Sequence, residues 1–200
     1  TYTFSWWMRA PAKAKNTVFN GHSEALANDA GGVANFNLQD AKIYFLNGAY
    51  NNWGDPGAQD DDAWHHWAFI WNSKADGEAY PLENVKLYID ATQFTTGQYD
   101  NNSSVRPIEQ GLQLGTDNYA PGPAWFLGYI DEFAIIEGDK SSSVATYMND
   151  TAPFDYAANE SDLISWWRFE EGSGTSVEDS SGNGFTGTIT DATFSTETPF

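Results

Sequence analysis

Aromatic residues recur at every second position in several short stretches of this chain, and that period belongs to β-strands. Tyr2, Phe4 and Trp6 alternate with smaller or polar neighbours and are followed in phase by Met8, while Trp67, Phe69 and Trp71 repeat the pattern. Side chains two residues apart share one face of a strand, so each run lays an aromatic stripe against a core. Further strand-like segments fall at residues 41–46, 84–90, 111–115, 125–136, 163–170 and 185–190, separated by clusters of Gly, Asn, Asp and Pro. Short strands at this spacing, without long helices between them, predict an all-β antiparallel sandwich or barrel. Only residues 140–149 read as helical, introduced by serines suited to capping. Trp125 is expected in the core. The echo between Ser5-Trp6-Trp7 and Ser165-Trp166-Trp167 is read as two core strands with similar burial needs.

Composition narrows the function. Twenty-eight acidic against nine basic residues give a formal charge of −19, which excludes a phosphate-binding surface for nucleic acid and disfavours anionic membranes. The absence of Cys removes disulfides, zinc thiolates and thiol redox chemistry. No apolar run approaches the ~20 residues of a membrane helix. The chain begins inside a strand-like segment, so it is expected to be part of a longer protein with neighbouring domains. A single domain over residues 1–200 accounts for the pattern, because the polar stretch 149–162 carries Phe154 and Tyr156 as anchors.

Several motifs together resemble the laminin-G-like domains of the concanavalin A-like lectin/glucanase superfamily. FSWWMRA at residues 4–10, DAWHHWAF at 62–69, KLYID at 86–90 and LGYIDEF at 127–133 each resemble a strand signature of that family. WRFEEGSGT at 167–175 with DSSGNG at 179–184 resembles the pattern that normally opens the family's domain. Here it lies at the C-terminal end, which predicts a circular permutation in which residues 163–190 supply the opening strands. The alternative is strand exchange between tandem copies. The resemblance implies a two-sheet, concanavalin A-like jelly roll with one short helix, secreted or at a cell surface, binding glycans and calcium. It also admits a protein-binding module, or a binding module appended to a polysaccharide-degrading enzyme; a bacterial adhesin is the preferred host.

Sugars offer apolar C–H faces and polar rims, so a lectin site needs aromatic platforms, amides and carboxylates. The loop 47–63 supplies Asn52, Trp53 and Asp55, and the loop 92–123 supplies Tyr99, Asn118 and Tyr119. Long loops in compact β-domains commonly carry function. Calcium takes six to eight oxygen ligands; Asp60, Asp61 and Asp62 with Asp117 form one candidate site. Asp179 and Asn183 form another, for which a plain glycine turn is the alternative. His65 and His66 face opposite sides of a strand and read as one packed and one hydrogen-bonded histidine; His22 is placed on a hairpin loop. Retaining glycoside hydrolysis requires two carboxylates ~5–5.5 Å apart. Asp131 and Glu132 are adjacent and expected on opposite faces, so no catalytic centre is expected.

Overall fold

The computed structural model describes residues 1–10, 16–22, 34–39, 42–46, 50–52, 61–71, 85–94, 111–117 and 124–200. In chain order the strands are β1 Tyr2–Arg9, β2 Asn16–His22, β3 Ala34–Gln39, β4 Lys42–Leu46, β5 Tyr50–Asn52, β6 Trp64–Trp71, β7 Val85–Ile89 and β8 Thr92–Gln93. They continue with β9 Gly111–Leu114, β10 Thr116–Asp117, β11 Ala124–Trp125 and β12 Tyr129–Glu137. Two short helices follow, α1 Val144–Tyr147 and α2 Tyr156–Asn159, and then β13 Leu163–Trp167, β14 Ser176–Val177 and β15 Gly187–Thr188. One sheet has the order β13-β12-β1-β6-β7-β8 and the other β5-β4-β3-β2-β9. Every strand pair within them is antiparallel. The fold is an all-β sandwich.

The alternating aromatics fill the space between the sheets. Phe4, Trp6, Met8, Trp67, Phe69 and Trp71 join Phe19 and Phe36 of the opposite sheet in one buried cluster. Phe4 stacks on Phe19 at 5.0 Å and Trp6 meets Phe36 edge-on at 5.3 Å, the two geometries that ring quadrupoles favour. Burying one such side chain contributes roughly 1.5–3 kcal/mol, so the interleaved rings dominate the packing. Trp167 and Phe169 pack against the same cluster, with Trp167 6.1 Å from Phe133. β13 reaches them by pairing with β12, in the register Phe133↔Trp167 and Ala134↔Trp166.

The other face of the six-stranded sheet carries Thr3, Ser5, Trp7 and Arg9. Over part of it Tyr147 and Tyr156 close on Ala134, Ile136 and Trp166, with Phe154 beside them; the expected anchors therefore hold the helical segment down. α2 is an element the sequence reading lacks. It is a single turn, capped by Asp155, whose carboxylate accepts from the Ala158 amide at 3.0 Å. Ser143 stands at the N-cap of α1, but its side chain makes no capping bond, so capping there falls to the backbone. The segment expected as one strand over 125–136 is broken into β11 and β12. Gly128 lies at the break, where a Cβ would sit 2.4 Å from the Arg9 carbonyl.

A bulge interrupts the β1–β12 ladder: Ser5 faces Ala134, but Trp7 faces Asp131. Two residues therefore oppose Trp6, and Glu132 takes up the difference at φ 52. This corrects the expectation that Asp131 and Glu132 point apart: Asp131 is in register with Trp7, and Glu132 accepts from Trp166 Nε1, both on the outer face of the sheet.

Candidate functional site

At one end of the six-stranded sheet the register sets three side chains in a row across three strands. Arg9 of β1 faces Trp64 of β6 on one side and Tyr129 of β12 on the other. The rings of Trp64 and Tyr129 lie 6.0 Å apart, and the Arg9 guanidinium sits 5.4 Å from the Tyr129 centroid. Tyr129 is 37% exposed, and Trp64 and Arg9 are half-buried. In the next row inward, Trp7 is buried, with its β6 partner His66 beside it at 5.4 Å and Phe200 against it at 5.6 Å. The Trp64–Arg9–Tyr129 row is more open than Trp7, although Glu197 of the C-terminal segment reaches Arg9.

Carboxylates surround this row. Arg9 Nε donates to the Asp62 carbonyl at 2.8 Å and to its carboxylate at 3.0 Å, while one terminal nitrogen reaches Asp62 at 3.3 Å and the other Glu197 at 3.0 Å. Asp62 holds φ 64 and its amide donates to the Ala10 carbonyl at 3.2 Å. Asp61 turns elsewhere, accepting from the Ala63 amide at 2.9 Å and lying 3.3 Å from His65 Nε2. These contacts hold the Asp61 carboxyl below the usual range, the Ala63 amide contributing most. His65 Nδ1 meets Asp90 at 2.6 Å, and that bond chiefly raises the imidazole above its ordinary value. Burial works to raise Asp90, but hydrogen bonds from His65 and the His66 amide prevail and lower it. Asp90 and Ala91 form a two-residue hairpin turn between β7 and β8 with φ 48 and 58, the backbone of a primed turn.

The histidines divide as the sequence reading has it. His65 is ion-paired at the rim; His66 is fully buried, its Nε2 2.9 Å from the Ser5 hydroxyl, which also meets Tyr156 Oη at 2.8 Å. Burial drops the His66 imidazole to about 3, keeping it neutral. A serine beside a histidine is the beginning of a nucleophile–base pair, but His66 Nδ1 has no partner to orient it and Ser5 is sealed from solvent. The trio ties β1, β6 and α2 together instead. His22 ends β2, paired with Gly111, rather than lying in a hairpin loop.

Other sequence-derived candidates are placed unevenly. Trp53, Asp60, Tyr99, Asn118 and Tyr119 lie outside the described residues. Asn52 ends β5 opposite Tyr44, and Asp117 pairs with Ala124. Trp125, expected in the core, is 49% exposed at the end of the β10–β11 ribbon, and Leu127 beyond it is 59% exposed, both out of phase with the half-buried Phe126.

Calcium, which the family resemblance implies, needs several convergent oxygens. Among the described residues no three His, Asp or Glu side chains are grouped to hold a metal ion. Asp61 and Asp62 face different partners. The Asp179–Asn183 turn does not fit an ion: Asp179 accepts from the amides of Trp166, Ser181 and Phe185, all at 2.9 Å, and from the Ser181 hydroxyl at 2.8 Å. Asn183 donates its amide to the carbonyls of Leu163 and Ile164, both at 2.9 Å. With Gly182 and Gly184 at φ 85 and 84, this is the glycine turn of the alternative reading, stitched onto β13 by protein donors.

The row Trp64–Arg9–Tyr129 is what sequence reasoning missed. Its residues are 55 or more positions apart in pairs, and only strand register joins them.

Comparison with solved structures gives the same architecture. A candidate carbohydrate-binding protein from Bacteroides ovatus ATCC 8483 superposes with a TM-score of 0.62 at 13% identity, covering 97% of this chain and 55% of that one. The chain thus spans about half the length of that protein. Lower similarity, at a TM-score of 0.46 and 14% identity, is found to domains LG4-5 of the mouse laminin α1 chain, covering 88% of this chain and 44% of that one. Domain 4 of the extracellular arabinanase AbnA from Geobacillus stearothermophilus, in complex with arabinotriose, aligns at 23% identity and a TM-score of 0.44 over 74% of this chain and 66% of its own. No curated protein sequence matches the chain. The laminin-G sequence profile matches residues 1–143, and the chain belongs to the concanavalin A-like lectin/glucanases superfamily.

Proposed function

We propose that this domain is a carbohydrate-binding module of an extracellular or cell-surface protein, and that it binds rather than cleaves its glycan. The observation that carries the reading is the partly exposed row of Trp64, Arg9 and Tyr129 ringed by Asp62 and Glu197. Two aromatic rings offer a stacking surface for the C–H face of a sugar, and exposed carboxylates accept from its hydroxyls. Trp53, Tyr99, Asn118 and Tyr119 remain candidate sugar contacts in this reading, and residues 163–190 complete the same permuted domain. Calcium enters through Asp60 and its loop, since Asp61 and Asp62 already have protein partners. An adhesin is the preferred host. The non-catalytic part rests on the buried, unoriented Ser5–His66 pair and on Glu132, which is 2% exposed and out of reach of a substrate.

A glycan array probed with the folded domain, in calcium and again in chelator, tests this. Binding to a defined set of glycans is expected, weakened by chelator; a calcium-independent signal removes the metal from the reading. A blank array in both conditions refutes the carbohydrate function. One alternative then gains, favoured by the exposed Trp125 and Leu127: a protein-binding module, since apolar surface of that kind marks docking sites.

A further inference from the structure

We infer that the Trp64–Arg9–Tyr129 surface selects uncharged glycans and rejects uronate- and sulfate-bearing ones, a class assignment that rests on the carbohydrate-binding reading. Proteins that recognise carboxylate or sulfate groups present an Arg fork or a Lys with hydrogen-bonding capacity to spare. The Nε-side fork of Arg9 is already filled by Asp62, and its other terminal nitrogen donates to Glu197. Its charge is outnumbered by those two carboxylates, whose side chains are 54% and 53% exposed. At the same end of the sheet Asp61 and Asp90 flank His65, so this second cationic group among the described residues is also claimed.

The same pairing runs through the molecule. Lys86 is bound by Asp139 at 2.7 Å. Lys140 is held by Glu160 and Asp162, both at 3.0 Å. Arg168 is held by Glu132 at 3.5 Å and Glu170 at 3.8 Å. Every Lys or Arg whose side chain is described is thus paired with a carboxylate, within a chain of net charge −19. An anionic sugar laid on the row meets negative charge with no unpaired Lys or Arg among the described side chains to offset it. A neutral sugar loses nothing: its hydroxyls donate to the outward oxygens of Asp62 and Glu197 while its C–H face stacks on the rings.

Isothermal titration of the whole domain against two sets of oligosaccharides decides the matter. The neutral set holds gluco-, manno-, galacto-, xylo- and arabino-oligosaccharides; the acidic set holds oligogalacturonates and heparin fragments. The expected result is binding within the neutral set, with acidic ligands at least ~10-fold weaker at low salt, and a gap that narrows as salt screens charges beyond ~8 Å. Trp64→Ala and Tyr129→Ala, checked for folding by circular dichroism, should each lose roughly 30-fold in neutral-ligand affinity. The double variant Asp62→Asn, Glu197→Gln removes the two charges that offset Arg9 and should raise affinity for oligogalacturonate. Acidic ligands binding as tightly as neutral ones overturn the selectivity but leave the carbohydrate reading standing. Neutral binding that survives both aromatic substitutions overturns the assignment to this row. Failure to bind either set refutes the parent reading, and this inference with it.

Discussion

Glu132→Gln should make the protein more stable at pH 8 and leave it nearly unchanged near pH 4.5. The Glu132 side chain is buried in the bulge opposite Trp6, accepting from Trp166 Nε1 at 2.6 Å and lying 3.5 Å from the Arg168 guanidinium. Burial outweighs both partners and pushes its carboxyl from 4.5 up to about 7. At ~1.36 kcal/mol per pH unit, ionising Glu132 in the fold therefore costs about 3 kcal/mol. The sign follows from the raised folded-state value. Below about 4.5 the group is neutral folded and unfolded, and its contribution is intact; stability is then lost as pH rises from 4.5 to about 7. A glutamine keeps the shape and an oxygen for Trp166 but never ionises. Urea midpoints followed by Trp fluorescence should show a gain of about 3 kcal/mol at pH 8, shrinking towards zero at pH 4.5. An equal gain at both pH values points to packing rather than charge. A loss at pH 8 shows that Arg168 stabilises an ionised Glu132; either result refutes the reasoning.

Ala91 occupies the left-handed region at φ 58, where a non-glycine residue costs ~1–2 kcal/mol; Ala91→Gly should raise the melting temperature, and calorimetry showing a decrease would contradict the turn geometry. Asp90→Asn removes the main cause of the raised His65 value. The stabilisation from that pair is present below about 6.5 and lost as pH rises through the folded-state value, so the variant should be less stable at pH 6 yet close to wild type at pH 9. An NMR titration of His65 should follow it downward. Deleting residues 163–200 removes β13 and the rings of Trp166, Trp167 and Phe169 from both faces of the sheet, and should abolish cooperative thermal unfolding; a truncated chain that melts as sharply as the full one would argue against residues 163–190 belonging to this domain.

The strands legible in the sequence are those whose alternation is aromatic and complete. Trp67, Phe69 and Trp71 announce β6 because a strand facing the core must bury every second side chain. β2 and β3 escaped notice because Asn16, Asn20, Asn35 and Asn37 surround only a few apolar residues, Val18, Phe19 and Phe36 among them, and a sparse pattern does not stand out from loop. The bulge at Glu132 was invisible for a different reason: one extra residue changes no composition, yet it moves a carboxylate to the other face. Trp125 was misassigned to the core because an indole near an apolar run reads as core whichever way its ribbon turns. The Trp64–Arg9–Tyr129 row was illegible altogether. Arg9, Trp64 and Tyr129 carry no local signal, and their meeting is a property of strand register, which becomes visible only when the sheet is assembled.

The sheet order has a consequence for how the chain reaches its native state. β1 lies between β6 and β12, and its first residue pairs across to Glu137. β1 therefore keeps one edge unpaired until more than a hundred further residues have been made, and β12 in turn waits for β13. Contacts so distant in sequence close slowly, because the loop entropy must be spent before the pairing returns it. A domain wired this way stays open and pliant until β12 and β13 have joined β1.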